Sequence, residues 1–235
     1  MSRLFRSELL KVRTIRTFLW IGLGNIAIVL VTAISVAASD NSFQLDEDHR
    51  GAGQIAGSAL VVALISGIIV MAGEARHGTI TQTLLVTPIR ERVLLVKAVV
   101  AAMIGLALAL IAEALVLLVL VPASLDVDRA GGVLLGILIG APLAGALGVG
   151  LGALVHAQGA AIGISLAWLL IGEALAPAIS ESATKYTPGR AFGALVSGVR
   201  DGDRLFGMVG GGVAAAVWTA VFVAAGLLAL LGRDV

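Results

Sequence analysis

Near its C-terminus the chain reads Val209-Gly-Gly-Gly-Val-Ala-Ala-Ala-Val-Trp-Thr-Ala-Val-Phe-Val-Ala-Ala-Gly-Leu-Leu-Ala-Leu-Leu-Gly232, without a single charged residue. About 20 apolar residues, each rising about 1.5 Å, carry a helix across about 30 Å of hydrocarbon. This stretch is long enough to span a bilayer as one helix.

The rest of the chain agrees with it. Of 235 residues, 59% are apolar and 13% charged, and the mean hydropathy is +1.05. A soluble domain carries roughly 25% charged residues because its surface must face water. This chain lacks the polar side chains to cover a globule, so lipid must solvate much of it. Six segments have the length and composition of spans: 18–38, 52–72, 98–121, 132–155, 159–179 and 208–231. Together they nearly consume the chain, which predicts one all-α transmembrane domain. The fourth and fifth are separated only by His156, Ala157 and Gln158. One helix through both would be far too long for a single crossing, so a hairpin is expected. Val36-Ala37-Ala38 after a basic start imitates a signal-peptide cleavage site, but the apolar run exceeds the usual 7–15 residues. The absence of cysteine excludes disulfides, thiolate metal sites and cysteine nucleophiles.

Orientation follows from the positive-inside rule. The N-terminal segment carries Arg3, Arg6, Lys11, Arg13 and Arg16 against Glu8; the first connection carries Asp40, Asp46, Glu47 and Asp48 against Arg50. The second is basic again, with Arg76, Arg90, Arg92 and Lys97, and the third is acidic. Both termini are therefore expected in the cytoplasm, at the plasma membrane. The fifth connection, 180–207, fits least well, because Lys185, Arg190, Arg200 and Arg204 fall on the expected outer side. Before the first span, Leu4, Phe5, Leu9, Val12 and Ile15 fall near one helical face and arginines on the other. That predicts an amphipathic helix over 3–16, lying among lipid headgroups.

The connection between spans two and three has the most local structure. Thr79 followed three residues later by Gln82 is a capping-box pattern, and Gly78 can supply the turn before it. Ile80, Leu84 and Leu85 share one face of a short helix, and Pro88 disfavours helix at Thr87 while suiting the first turn of the next helix. The spacing predicts a short amphipathic helix along the membrane surface, a break, then re-entry.

Glu74, Gly78-Thr79, Leu84-Leu85, Thr87-Pro88, Arg90 and Lys97 in this order resemble the cytoplasmic loop of type-2 ATP-binding cassette (ABC) exporter permeases. Trp168, Glu173 and Tyr186-Thr-Pro-Gly-Arg-Ala-Phe-Gly-Ala-Leu195 are similar to that family's fifth span and extracellular re-entrant region. The resemblance implies a coupling helix at about 78–86 that docks on a separate ATPase subunit. Glu74, Arg76, Gly78, Thr79, Gln82, Leu84, Pro88 and Arg90 would be its contact and positioning residues. It also implies a second permease chain, and a partner subunit that holds ATP and Mg. This chain contains no G-x-x-x-x-G-K-[ST], so it is expected to be neither an ATPase nor another enzyme, and to hold no cofactor or metal itself. No nucleic-acid partner is expected.

Other features are weaker. Gly22-Leu-Gly-Asn-Ile-Ala27 and Gly51-Ala-Gly-Gln-Ile-Ala56 imitate a dinucleotide fingerprint, but neither follows a plausible strand. Gly132, Gly136, Gly140, Ala144, Gly148 and Gly152 recur every fourth residue, the spacing that lets helix backbones approach closely. Helix packing is the expected role, a glycine-lined conduit the alternative. Glu113 and Glu173 fall inside predicted spans, where a charge costs at least roughly 2.5–3.5 kcal/mol. They could line a transport pathway, or only bind helices together. His49, His77 and His156 make no ligand set. Two rival functions stay open: a proton-coupled secondary transporter using Glu113 or Glu173, and a non-transporting membrane assembly subunit.

Overall fold

A computed structural model describes residues 2–38, 45–76, 78, 89–122, 127–180, 184–197 and 207–232. The described elements are helical, in the order α1 (Ser2–Thr14), α2 (Arg16–Ala37), α3 (Leu45–Arg76), α4 (Arg90–Leu120), α5 (Val127–Val155), α6 (Gln158–Ala167), a π-helical turn (Trp168–Gly172), α7 (Glu173–Ile179), a 3-10 turn (Thr184–Tyr186), α8 (Pro188–Ser197) and α9 (Met208–Leu231). Six segments are long and apolar enough to cross a membrane: α2, Gly57–Glu74 of α3, α4, Gly131–Val155 of α5, Gln158–Ile179, and α9. The protein is an all-α, multi-pass membrane protein.

Helix bounds differ from the sequence expectation where charge is absorbed internally. Span three was expected to begin at position 98, but α4 begins at Arg90, because Lys97 is wholly buried among partners and does not mark the end of the apolar run. Ile89 is the extended residue before the helix; Thr87 and Pro88, expected at its start, lie outside the described residues. The four–five hairpin turns at His156, whose φ of 58° is left-handed, and at Ala157. Ile15, extended, is the single break between α1 and α2.

Spans two and four form the centre. Over half of each is buried (56%), whereas only 6% of span five is. Span four can sit centrally because its glycines admit neighbouring backbones. A Cβ on Gly148 would overlap the backbone of Leu64 in α3, one on Gly145 that of Ala101 in α4, and one on Gly150 that of Phe222 in α9. Gly136 and Gly140 face Leu195 of α8, Gly140 also Leu60, and Gly152 lies against Ile68 and Met71. Gly132, the first of the expected ridge, touches nothing. Leu60, Leu64, Ile137, Ala141 and Leu147 belong to the main core.

Both chain ends lie at one end of the bundle. Arg90 at the start of α4 donates to the carbonyls of Leu230 (2.7 Å) and Leu231 (3.3 Å), the last residues of α9. The described residues 184–197 lie at the opposite end. There Trp218 Nε1–H donates to the Tyr186 carbonyl at 2.7 Å, a point about 15 Å along α9 from Met208. The chain after span five therefore dips back between the helices, and α8 packs against α9 and span four without crossing.

Candidate functional site

Two arrangements, at opposite ends, carry the polar chemistry. The first lies at the base of the connection between spans two and three. Four charges meet there: Glu8 and Lys11 of α1, Glu74 near the end of α3, and Lys97 of α4. Lys97 Nζ stands 2.8 Å from Glu8 Oε2 and 2.7 Å from Glu74 Oε1; Lys11 Nζ stands 2.6 Å from Glu8 Oε1 and 2.5 Å from Glu74 Oε1. Lys97 also donates to the Val70 carbonyl at 3.3 Å, so its three donors are all used. Two positive and two negative charges cancel, and Glu8, Glu74 and Lys97 are buried. Burial alone would pull Lys11 down, but hydrogen bonds to Glu74 and Glu8 outweigh it and hold the ammonium above its ordinary pKa.

Periodicity explains how α1 reaches this place. Its packed side holds Leu4, Phe5, Glu8, Leu9 and Val12, while Arg6, Leu10 and Arg13 are exposed. The apolar stripe is as expected, but an acid lies within it. Glu8 signals nothing in sequence beyond one negative charge among five bases. Its partners lie far along the chain.

The residues expected to meet an ATPase are distributed as follows. Glu74 is committed to the chain's own lysines. Arg76 is the last residue of α3. Gly78 has a left-handed φ of 66° with open space around it, a backbone that favours glycine. Arg90 caps α9. Thr79, Gln82, Leu84 and Pro88, and with them the expected coupling helix, lie outside the described residues.

The second arrangement is a cavity of about 1070 Å³ enclosed by spans two, four, five and six and by α8. Its key polar group is Glu173. Trp168 Nε1–H donates to Oε1 at 3.0 Å, the Gly189 backbone N–H donates to Oε1 at 2.7 Å, and the Thr187 hydroxyl donates to Oε2 at 2.7 Å. A carboxylate on the N-terminal turn of a helix neutralises its unsatisfied N–H groups, so Glu173 fastens α8 to span five. Gly189 permits this, because a Cβ there would lie 2.6 Å from the Glu173 Cδ. The π-helical turn just before Glu173 also contributes. Its extra residue in the turn sets the direction in which the carboxylate leaves the helix. Pro177 lies within α7, and the irregularity of span five falls one turn earlier, at Trp168–Gly172.

No protein-family model and no curated protein matches this chain.

Glu113 and Glu173 are not brought together. Glu113, buried in span three, does not line the cavity, and its Oε1 has no hydrogen-bond partner among the described residues. Asn25 of span one is similar. Its Nδ2 donates to the Leu108 carbonyl at 3.2 Å, while Oδ1 is unpartnered. Among the described residues no group of acids and histidines could hold a metal.

Proposed function

We propose that the chain is the permease subunit of an ATP-driven exporter at the plasma membrane, with both termini in the cytoplasm. A separate ATPase would dock on the connection between spans two and three, and two permease chains would complete the unit. One observation carries this reading: the four-charge cluster. It ties the end of span two, the start of span three and the surface helix α1 into one body at the two roots of that connection. A force applied to a loop rooted in this way is passed to both spans and to the membrane surface together. A loop on slack roots would dissipate it. The large cavity at the opposite end supplies a space that such motion could open.

The test is co-expression with a candidate ABC ATPase subunit, sought first in the neighbouring reading frames. The reading requires that the two co-purify and that replacing Thr79 uncouples ATP hydrolysis from transport while leaving membrane insertion intact. A chain that retains no ATPase, or that transports without one, would end it. The unpartnered Glu113 carboxylate favours a second reading, proton-coupled transport. That reading requires transport to collapse with the proton gradient and to survive loss of ATP.

A further inference from the structure

Among the described residues of the cavity wall, two side chains carry charge at neutral pH, Glu173 and Arg190, and their situations are opposite. Glu173 is spent on three donors, Trp168 of its own span and Thr187 and Gly189, which hold α8. Arg190, one residue beyond Gly189, makes no hydrogen bond or ion pair among the described residues. A guanidinium carries five N–H donors and keeps its charge, and leaving it unanswered beside apolar walls is costly. Most of the rest of the wall is apolar, Leu60, Leu64, Leu147, Leu151, Phe192 and Phe222 among it.

We propose that the cavity binds an amphiphile with an anionic headgroup, the head on Arg190 and the hydrocarbon tail among these leucines and phenylalanines. Size agrees: about 1070 Å³ lies above the roughly 300–1,000 Å³ of sites for drug-sized ligands. Charge selects the class. A cationic amphiphile would meet Arg190 with no uncommitted carboxylate to compensate. A sugar chain would find few donors or acceptors along the leucine walls. The cavity is open, since Leu170 and Tyr186 in its wall are exposed, so a molecule already in the bilayer can reach it. As the identity of a transported substrate this rests on the permease reading; as a binding site it does not.

The chain's three tryptophans are Trp20, Trp168 and Trp218, and the last two line the cavity. In the full-length purified Trp20→Phe chain, fluorescence therefore reports the site. Phosphatidylglycerol with brominated acyl chains should quench it saturably at roughly tenfold lower concentration than phosphatidylcholine with the same chains. Arg190→Gln should abolish that preference and Arg190→Lys retain most of it. Millimolar inorganic phosphate should not displace the lipid. Equal quenching by the two lipids overturns the proposal, as does displacement by phosphate alone, which would mark a simple anion site. Quenching lost when two chains are cross-linked also overturns it, because a second copy would then be the occupant. Should Arg190→Gln not fold, the comparison of headgroups on the Trp20→Phe chain decides alone. No ATPase enters the measurement, so a failed co-purification and a failed headgroup preference are separate results.

Discussion

The Lys97 ammonium lies 2.8 Å from the Glu8 carboxylate across 89 positions of sequence, and this pair fixes the N-terminal helix α1 to the wall of a membrane span. Lys97 is the largest fully buried side chain among the described residues. Replacing it by methionine leaves two buried carboxylates with only Lys11 to answer them. Breaking a buried pair from one side costs about 3–5 kcal/mol, so Lys97→Met should be strongly destabilised in denaturant titrations of the purified protein. Glu8→Gln in the same chain should recover part of the loss, because it removes one of the stranded charges. Purely additive losses would mean the cluster is not one unit.

Alkaline pH should loosen the same cluster. Lys11 is held above its ordinary pKa of 10.5 by Glu74 and Glu8. A group raised on folding contributes stability below its unfolded pKa and loses it as pH rises through the folded value. Release of α1, followed by proteolysis near Arg13, should therefore begin only above the normal lysine range. Release at neutral pH would contradict the assignment.

Glu173→Ala should unfasten α8 from span five. The chain has no cysteine of its own, so Ala194→Cys, on the buried face of α8, gives a clean reporter. Losing charge-assisted hydrogen bonds should raise its thiol labelling rate roughly tenfold or more. Glu173→Gln keeps an acceptor for the tryptophan and the backbone N–H, so labelling should stay near that of the parent. A proton relay at this position would instead lose transport in the glutamine variant.

Two glycines of the same helix, α5, should respond in opposite senses. Gly148→Ala forces a methyl into the Leu64 backbone and should lower the unfolding midpoint. Gly132→Ala meets nothing within 4 Å and should be neutral or stabilising by up to about 1 kcal/mol, the helix-propensity difference. Equal effects would mean that span four is not packed through Gly148.

Arg90→Gln should fray the last turn of α9, since the guanidinium satisfies carbonyls that no helical N–H reaches. Faster amide exchange confined to the final turn of α9 is the expected signature, with a cost of about 1 kcal/mol.

Six spans, the four–five hairpin and the N-terminal helix were legible because each follows from apolar length or 3.6-residue periodicity, both local properties. The polar site was only partly legible. Lys97 reads as a loop base until partners from α1 and α3 bury it, and those partners lie 89 and 23 positions away. Glu173 could be singled out as an acid in an apolar run. Its three donors could not be, because two of them arrive with a segment that folds back from beyond the span. The π-helical turn has no signature in Trp168-Leu-Leu-Ile-Gly172, whose residues would serve equally well in an α-helix. The glycine ridge gave the spacing but not the neighbours, and its first member faces empty space.

That turn makes span five a potential swivel. A π-helical turn holds one residue more than its α counterpart. Rewinding it to ordinary pitch would rotate everything beyond it by about 100° and shift it by about 1.5 Å. Glu173 would swing out of reach of Gly189 and Thr187, and α8 would lose its latch. With so little of span five packed, the neighbouring helices would offer little resistance to such rewinding, and the Glu173 hydrogen bonds are what hold the turn in place.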